Sequence, residues 1–407
     1  MTMENTKSPR GFSLLELMVA TSLGIIVLLA MTSLFKVGMS STFTITQRLE
    51  VQENMRAAME MMAEDISQAG GGLPTGGLQL VTGGTVSKIA VNQAGTTYVP
   101  ADTYPASGAG VANYMYGIVP GFNNGVQNAT AITSAPGLTN DSMTSIYVDN
   151  TFQLSNFTFT ITSGTSVTVG VIAVPNTTLP TNILSPGGFS ANGGDVLLFL
   201  VNTAGNGTTS SGTSLIQDAA VAAEVTAVAG TAGTTNCAAS PGSCTWTLTL
   251  ATNDALNMNQ TGGTTNNLST VSAAIGGAGA HLTVSRLDIV TYFLQVPPTG
   301  VGTTVQTPRL MRQVSGQTAV PVADNIINLQ FTYDVINNVN GTITANLADP
   351  LGAGQSPSLI QKVNIVIMGQ SMTSDGNKSQ SMYLVSSVAA SDMSFCNTYS
   401  ASTTSCQ

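Results

Sequence analysis

The sequence predicts an α+β protein: one long N-terminal helix packed on a large, antiparallel, β-rich globular region. Three observations predict it. An apolar run of 24 residues, Phe12 to Phe35, carries a single side-chain charge, Glu16. Behind it, residues 43–69 place Ile45, Leu49, Met55, Met59, Met62, Ile66 and Ala69 at spacings that settle into 4, 3, 4, 3, the stripe of one helix face. After Gly72 the apolar period changes to two.

The helix is justified first. No proline interrupts the chain from Ser13 to Leu73. At ~1.5 Å rise per residue the apolar run spans roughly 36 Å, enough for a hydrocarbon layer of about 30 Å. In such a layer the backbone satisfies its own hydrogen bonds only as a helix. Lys36 marks the aqueous boundary, and residues 36–69 form the amphipathic half, with Gln52, Glu53, Arg56, Glu60 and Glu64 off the apolar stripe. Gly70-Gly71-Gly72-Leu73-Pro74 supplies the glycine-then-proline stop. The expected helix, Phe12 to Ala69, is roughly 87 Å long at 1.5 Å per residue. Its Met-rich face reads as core packing, not as a cofactor box.

A cleaved secretory signal does not explain the run. Such signals have about 7–15 apolar residues followed by a small-x-small site, and Thr32 to Met39 contains no Ala-x-Ala. A plain signal anchor fits the length and the basic flank, but it gives no reason for Gly11-Phe12 or for Glu16. A carboxylate one turn into an apolar helix costs free energy unless something compensates it, which makes Glu16 a functional residue by default.

Lys7-Ser8-Pro9-Arg10-Gly11, then Phe12-Ser13-Leu14-Leu15-Glu16 and a hydrophobic helix, resemble the N-terminus of a type IV prepilin. The resemblance implies residues 1–11 as a leader cut by a prepilin peptidase between Gly11 and Phe12. It implies N-methylation of Phe12 and an assembly role for Glu16, the fifth residue of the mature chain. The division it implies is 1–11 leader, 12–35 transmembrane and assembly half of the helix, 36–69 amphipathic half, and 70–407 β-rich globular region, in one or two lobes. Arg48-Leu49, Glu53-Asn54-Met55-Arg56 and Met62-Ala63-Glu64-Asp65-Ile66, leading to Ala69-Gly70, are similar to the helix of PilW-type minor pilins and of J-type pseudopilins. Four later stretches follow the PilW pattern in order: Asp141–Val148, Gly194–Leu198, Pro308–Arg312 and Ile326–Asp334. The chain departs from that pattern at its end, where a polar segment holds two cysteines in place of a basic close.

Charged residues are only 8% of the 407-residue chain, against the usual ~25%. Hydrophobic residues are 43%, so this is no disordered composition. It is the composition of an extracellular β-rich surface in which hydroxyls and amides replace charge. Between Lys88 and Arg286 there is no Lys or Arg, while Asp102, Asp141, Asp149, Asp195, Asp218, Glu224 and Asp254 are present. A nucleic-acid surface needs clustered basic residues, so no nucleic-acid partner is expected.

Period-two segments predict strands at Ser87–Asn92, Met143–Asp149, Phe152–Thr162, Ser166–Val174, Asp195–Val201, Thr245–Ala251 and Leu282–Gln295. Further strands are expected at Arg309–Val314, Ile326–Val335, Leu359–Met368 and Met382–Val388. Residues 202–280 are the least legible: Thr203–Thr213, Ala227–Thr235 and Thr261–Ala280 are rich in Gly, Ser, Thr and Ala. They fit elaborated loops, a linker or a second β-lobe. The four cysteines fall in two local pairs; four cysteines allow three pairings, and in an exported chain the local one, Cys237–Cys244 with Cys396–Cys406 as short-loop disulfides, is preferred over the other pairings and over free thiols. Their spacings do not suit zinc, and the single His281 has no nearby partner, so no metal is expected.

No catalytic constellation is found. His281 would be the only histidine base, Gly70–Gly72 ends a helix where a phosphate loop would open one, and Ser374-Asp375-Gly376-Asn377 has one acid, too few for calcium. The expectation is a non-enzymatic, cofactor-free minor pilin that primes pilus assembly or sits at its tip. The resemblance implies a single-pass inner-membrane chain with a periplasmic globular region, then extraction into an extracellular fibre. Its implied partners are the prepilin peptidase, other minor pilins, the major pilin and the inner-membrane assembly platform. Two other readings stay open: a J-type pseudopilin of type II secretion, and a tip adhesin with a surface ligand.

Overall fold

A computed structural model describes residues 11, 13–73, 78–79, 88–91, 98–100, 114–121, 126–127, 140–152, 154–172, 183–184, 187–190, 193–203, 217–230, 244–252, 258–260, 267–275, 280–296, 308–315, 317–336, 341–348, 357–371 and 380–390. The helix α1 runs Leu14–Ser67, followed by a turn. The short strands are β1 (Leu78–Gln79), β2 (Lys88–Val91), β3 (Tyr98–Pro100), β4 (Tyr114–Met115), β5 (Ile118–Gly121) and β6 (Val126–Gln127). Then come β7 (Ser142–Asp149), β8 (Phe157–Ser163), β9 (Ser166–Val171), β10 (Val196–Thr203), β11 (Gln217–Gly230) and β12 (Thr245–Leu250). The helix α2 (Leu268–Ile275) precedes β13 (Ala280–Gln295), β14 (Arg309–Val314) and β15 (Val320–Ala323). Last are β16 (Ile326–Ile336), β17 (Ile343–Leu347), β18 (Ile360–Gln370) and β19 (Ser381–Ala389).

α1 has two unlike halves. Before Val51 none of its residues is buried. From Val51 onward, Val51, Met55, Ala58, Met59, Met62, Asp65 and Ile66 are buried on one face. The expected stripe is therefore correct from Met55 and wrong before it: Ile45 and Leu49 are 53% and 59% exposed. The reason is angular. At 100° per residue Ile45 and Leu49 lie about a quarter to a third of a turn off Met55, and the sheet fully covers the helix face only from Val51 onward.

The distal half of α1 packs against β15, β18 and β19. β17-β16-β18-β19 form an antiparallel four-stranded sheet. Leu329, Phe331, Tyr333, Val335, Val363, Ile365 and Ile367 bury on one face of it, as their alternation requires. Gly369 of β18 lets the helix approach: a Cβ there would meet Val51 Cγ1 at 2.6 Å and Met55 Sδ at 2.9 Å.

The eleven-stranded sheet follows the order β15-β14-β13-β10-β11-β12-β9-β8, with β7, β5 and β6 attached beside β13. The sixteen-residue strand β13 carries two sets of neighbours. Its first half pairs with β10 and its second half with β14, while β7 pairs across the middle. One hydrophobic core therefore joins α1, the four-stranded sheet and the β7–β13–β14 end. A second joins β8 to β12, α2 and Phe152, Ile183 and Phe189. The stretch that was illegible in sequence thus carries β11, β12 and α2 within an ordered core. β11 is buried on both faces: Ala219, Val221, Ala223 and Val225 line the second core, and Ala220 and Ala222 a third cluster with Leu198 and Leu287.

Candidate functional site: the N-terminal helix and its anchorage

The exposed half of α1 is built for an apolar medium. Leu14–Glu50 is about 55 Å of helix at 1.5 Å per residue, and it displays Leu14, Leu17, Ile26, Leu29, Phe35 and Phe43 at 50–78% exposure. Six of its hydroxyls are satisfied internally. Thr21, Ser22, Thr32, Thr42, Thr44 and Thr46 donate to carbonyls three or four residues back at 2.9–3.0 Å. Within the described residues this is a helix long and apolar enough to cross a membrane.

Gly11 is exposed ahead of the helix, and Phe12 lies outside the described residues. Ser13 takes an extended φ of −74° and ψ of 141°, and its carbonyl accepts the first helical hydrogen bonds, from the N–H groups of Glu16 at 3.0 Å and Leu17 at 3.2 Å. Glu16 is in the first turn, where the partial positive charge of the helix N-terminus favours a carboxylate. It shares a face with Ser13, Val19, Ala20 and Leu23. The next basic residue along the helix is Lys36, about 30 Å away, so no basic side chain of the helix itself is placed to pair with Glu16.

At the other end, Asp65 ties α1 to the large sheet. Its carboxylate is buried and accepts from Tyr147 Oη at 3.0 Å, from Arg312 Nε at 2.8 Å and Nη2 at 3.0 Å, and from Tyr292 Oη. Burial first, then Asp65, pushes both tyrosines above their ordinary range. Hydrogen bonding to Asp65 raises Arg312 against the opposing effect of burial. Helix, β7, β13 and β14 thus meet at one carboxylate. Asp65, Tyr147 and Arg312 fall in three of the stretches picked out by resemblance, whose mutual contact no one-dimensional pattern shows.

The glycine turn completes the seam. Gly70 N–H donates to the Ile146 carbonyl at 2.9 Å, and Val148 N–H donates to the Gly71 carbonyl at 2.7 Å. Gly72 has φ +73°, and a Cβ there would lie 2.7 Å from Val148 Cβ. The Asp141 stretch is stitched to the Ile326 stretch in turn. Phe331 N–H donates to Asp141 Oδ2 at 3.0 Å and Leu329 N–H to Asn140 Oδ1 at 3.1 Å.

His281 is exposed at the start of β13. Cys244 is buried just before β12, and there is no free cysteine among the described residues. Cys237, Cys396 and Cys406 lie outside them, as does Ser374–Asn377.

Against families of known proteins, residues 6–32 match the prokaryotic N-terminal methylation motif. No curated protein and no solved structure matches the chain. The match supports a type IV pilin-like or pseudopilin-type protein, of the kind processed by a prepilin peptidase and assembled with pilus components.

Proposed function

We propose that the chain is a non-enzymatic minor pilin of the PilW type, which primes a type IV pilus or caps its tip. One observation carries the reading: behind a methylation motif stands an exposed apolar helix, anchored at its far end by the Asp65–Arg312 ion pair and bearing at its near end a carboxylate without an ion-pair partner among the described residues. In this reading the peptidase cuts between Gly11 and Phe12, and the mature chain waits in the inner membrane with its globular region in the periplasm. Glu16 then pairs with the methylated Phe12 amine of a neighbouring subunit as the helix is drawn into the fibre. Each charge offsets the desolvation of the other. The large, weakly charged 75–285 region is the surface to probe with glycans for an adhesive role.

The test combines mass spectrometry with cell fractionation. The mature protein is expected to start at N-methylated Phe12. Glu16→Ala is expected to leave that processing and the membrane pool intact while removing the protein from sheared fibres. A start at Met1, cleavage beyond Phe35, or normal Glu16→Ala levels in fibres would overturn the reading. Loss of cargo secretion with fibres unaffected would favour the J-type pseudopilin.

A further inference from the structure

A row of charged side chains crosses the large sheet at the C-terminal end of α1. Arg286, Asp288 and Tyr292 are on one face of β13 by the alternation of a strand. The register pairs Arg286 with Asp149 and Asp288 with Tyr147 of β7, and Tyr292 with Arg312 of β14. α1 adds Asp65, held by Tyr147, Tyr292 and Arg312. Arg286 is taken by Asp149, with Nε 2.7 Å from Oδ2, and its Nη1 donates to the Gly188 carbonyl at 3.0 Å. Two guanidiniums therefore serve three carboxylates. Asp288 is the one left over, without a hydrogen bond or ion pair among the described residues.

We propose that this row is an acid-engaged latch on the helix: Asp288 takes up a proton in mildly acidic medium, and the end of α1 then docks more firmly on β7, β13 and β14. The charged and titratable groups facing Asp288 are Asp65 from α1, Tyr147 and Asp149 from β7, Arg286 from β13 itself and Arg312 from β14. Asp195 of the β10 end faces the Arg286–Asp149 pair and not Asp288. With both guanidiniums hydrogen-bonded to other carboxylates, they offset the charge of Asp288 only in part, the row of three carboxylates and two guanidiniums carries one excess negative charge, and protonation removes it.

Burial first, then Asp149, pushes Asp288 up to about 6, with Arg286 and Arg312 opposing. The sign follows. Between the ordinary 3.8 and about 6, the folded chain holds a proton that the unfolded chain has released. The contribution of Asp288 to stability therefore falls as pH rises through that window and is flat above it. Asp149 works the other way: burial raises it, but the hydrogen bonds from Thr151 and Arg286 outweigh burial and lower it. Its contribution is present above 3.8 and lost below, so the two responses occupy different pH ranges. The gap at Asp288 sets a ceiling of about a hundredfold in the folding constant; about tenfold of it is reached at pH 5, and solvent screening of a partly exposed group lowers that further.

The experiment uses the full-length protein in detergent micelles. Amide hydrogen exchange at Gly70 and Val148, corrected for intrinsic rates, is compared at pH 5 and pH 7.5 alongside thermal unfolding. Wild type is expected to be severalfold, at most about tenfold, better protected at the lower pH. Asp288→Asn should be equally protected at both, at the wild-type acid level, and melt higher than wild type at pH 7.5. Asp288→Glu should keep the pH dependence. A pH dependence that survives in Asp288→Asn, a wild type without one, or an Asn variant less stable at both pH values would overturn the latch.

Discussion

At the residue scale the anchorage turns on Asp65. Removing one partner of a buried ion pair leaves the other uncompensated, at a cost of up to about 3–5 kcal/mol, toward or below the low end here because Arg312 keeps 23% of its side chain in solvent. Asp65→Ala strands Arg312 and deprives the hydroxyls of Tyr147 and Tyr292 of their acceptor. Denaturant unfolding of the detergent-solubilised protein is expected to show a loss of that size. Replacing both charges, Asp65→Leu with Arg312→Met, should recover most of it, because the desolvation of two ions is then removed as well. A double variant as unstable as Asp65→Ala would mean that the pair itself, not the orphaned charge, supplies the stability. Glu16 stands out in sequence as a lone charge in an apolar run. Asp65 does not, although it too interrupts an apolar stripe, three residues past Met62. Its partner Arg312 is 247 residues further on, and local pattern does not reach that far.

At the element scale, strands with β-branched or aromatic alternation were legible to within a few residues, as β7, β16 and β18 show. β11 was not. Its sequence, Gln217–Gly230, is dominated by alanine, a strong helix former with low strand preference. Burial against β10 on one side and β12 on the other overrides that preference, since small side chains let both faces of a central strand close. The boundary of helix packing was also illegible, because apolar residues continue on both sides of Val51 and only the sheet decides which face is covered. Gly369 marks where that decision is made. Gly369→Ala would force its Cβ into Val51 Cγ1, a branched side chain with little freedom, and Met55 can yield only part of the space. The expected cost is about 1–3 kcal/mol. Hydrogen exchange should rise across residues 51–62 and stay unchanged in β9 and β12; equal protection in both variants would show that the helix does not ride directly on β18.

At the scale of the whole molecule, sequence period distinguishes strands from helices but does not say which sheet a strand joins, so the sharing of β13 between two cores could not be read from it. That sharing makes the distal core separately testable, and the only tryptophan in the chain reports on it. Trp246 is fully buried in that core, edge-on to Phe157 with ring centroids 6.2 Å apart, and two residues from buried Cys244. If Cys237 pairs with Cys244, the bridge closes a loop of eight residues, which in the chain-entropy account contributes about 2–3 kcal/mol. Replacing both with serine should therefore lower the unfolding free energy read from the Trp246 fluorescence transition by an amount in that range, with a lower denaturant midpoint. Replacing Cys396 and Cys406 should leave the same transition in place, because that pair follows β19 on the core packed against α1. Non-reducing peptide mapping fixes the connectivity alongside. Four free thiols, a cross-pairing, or a Trp246 transition indifferent to Cys244 would each refute the local pairing and with it the picture of a distal core stapled on its own.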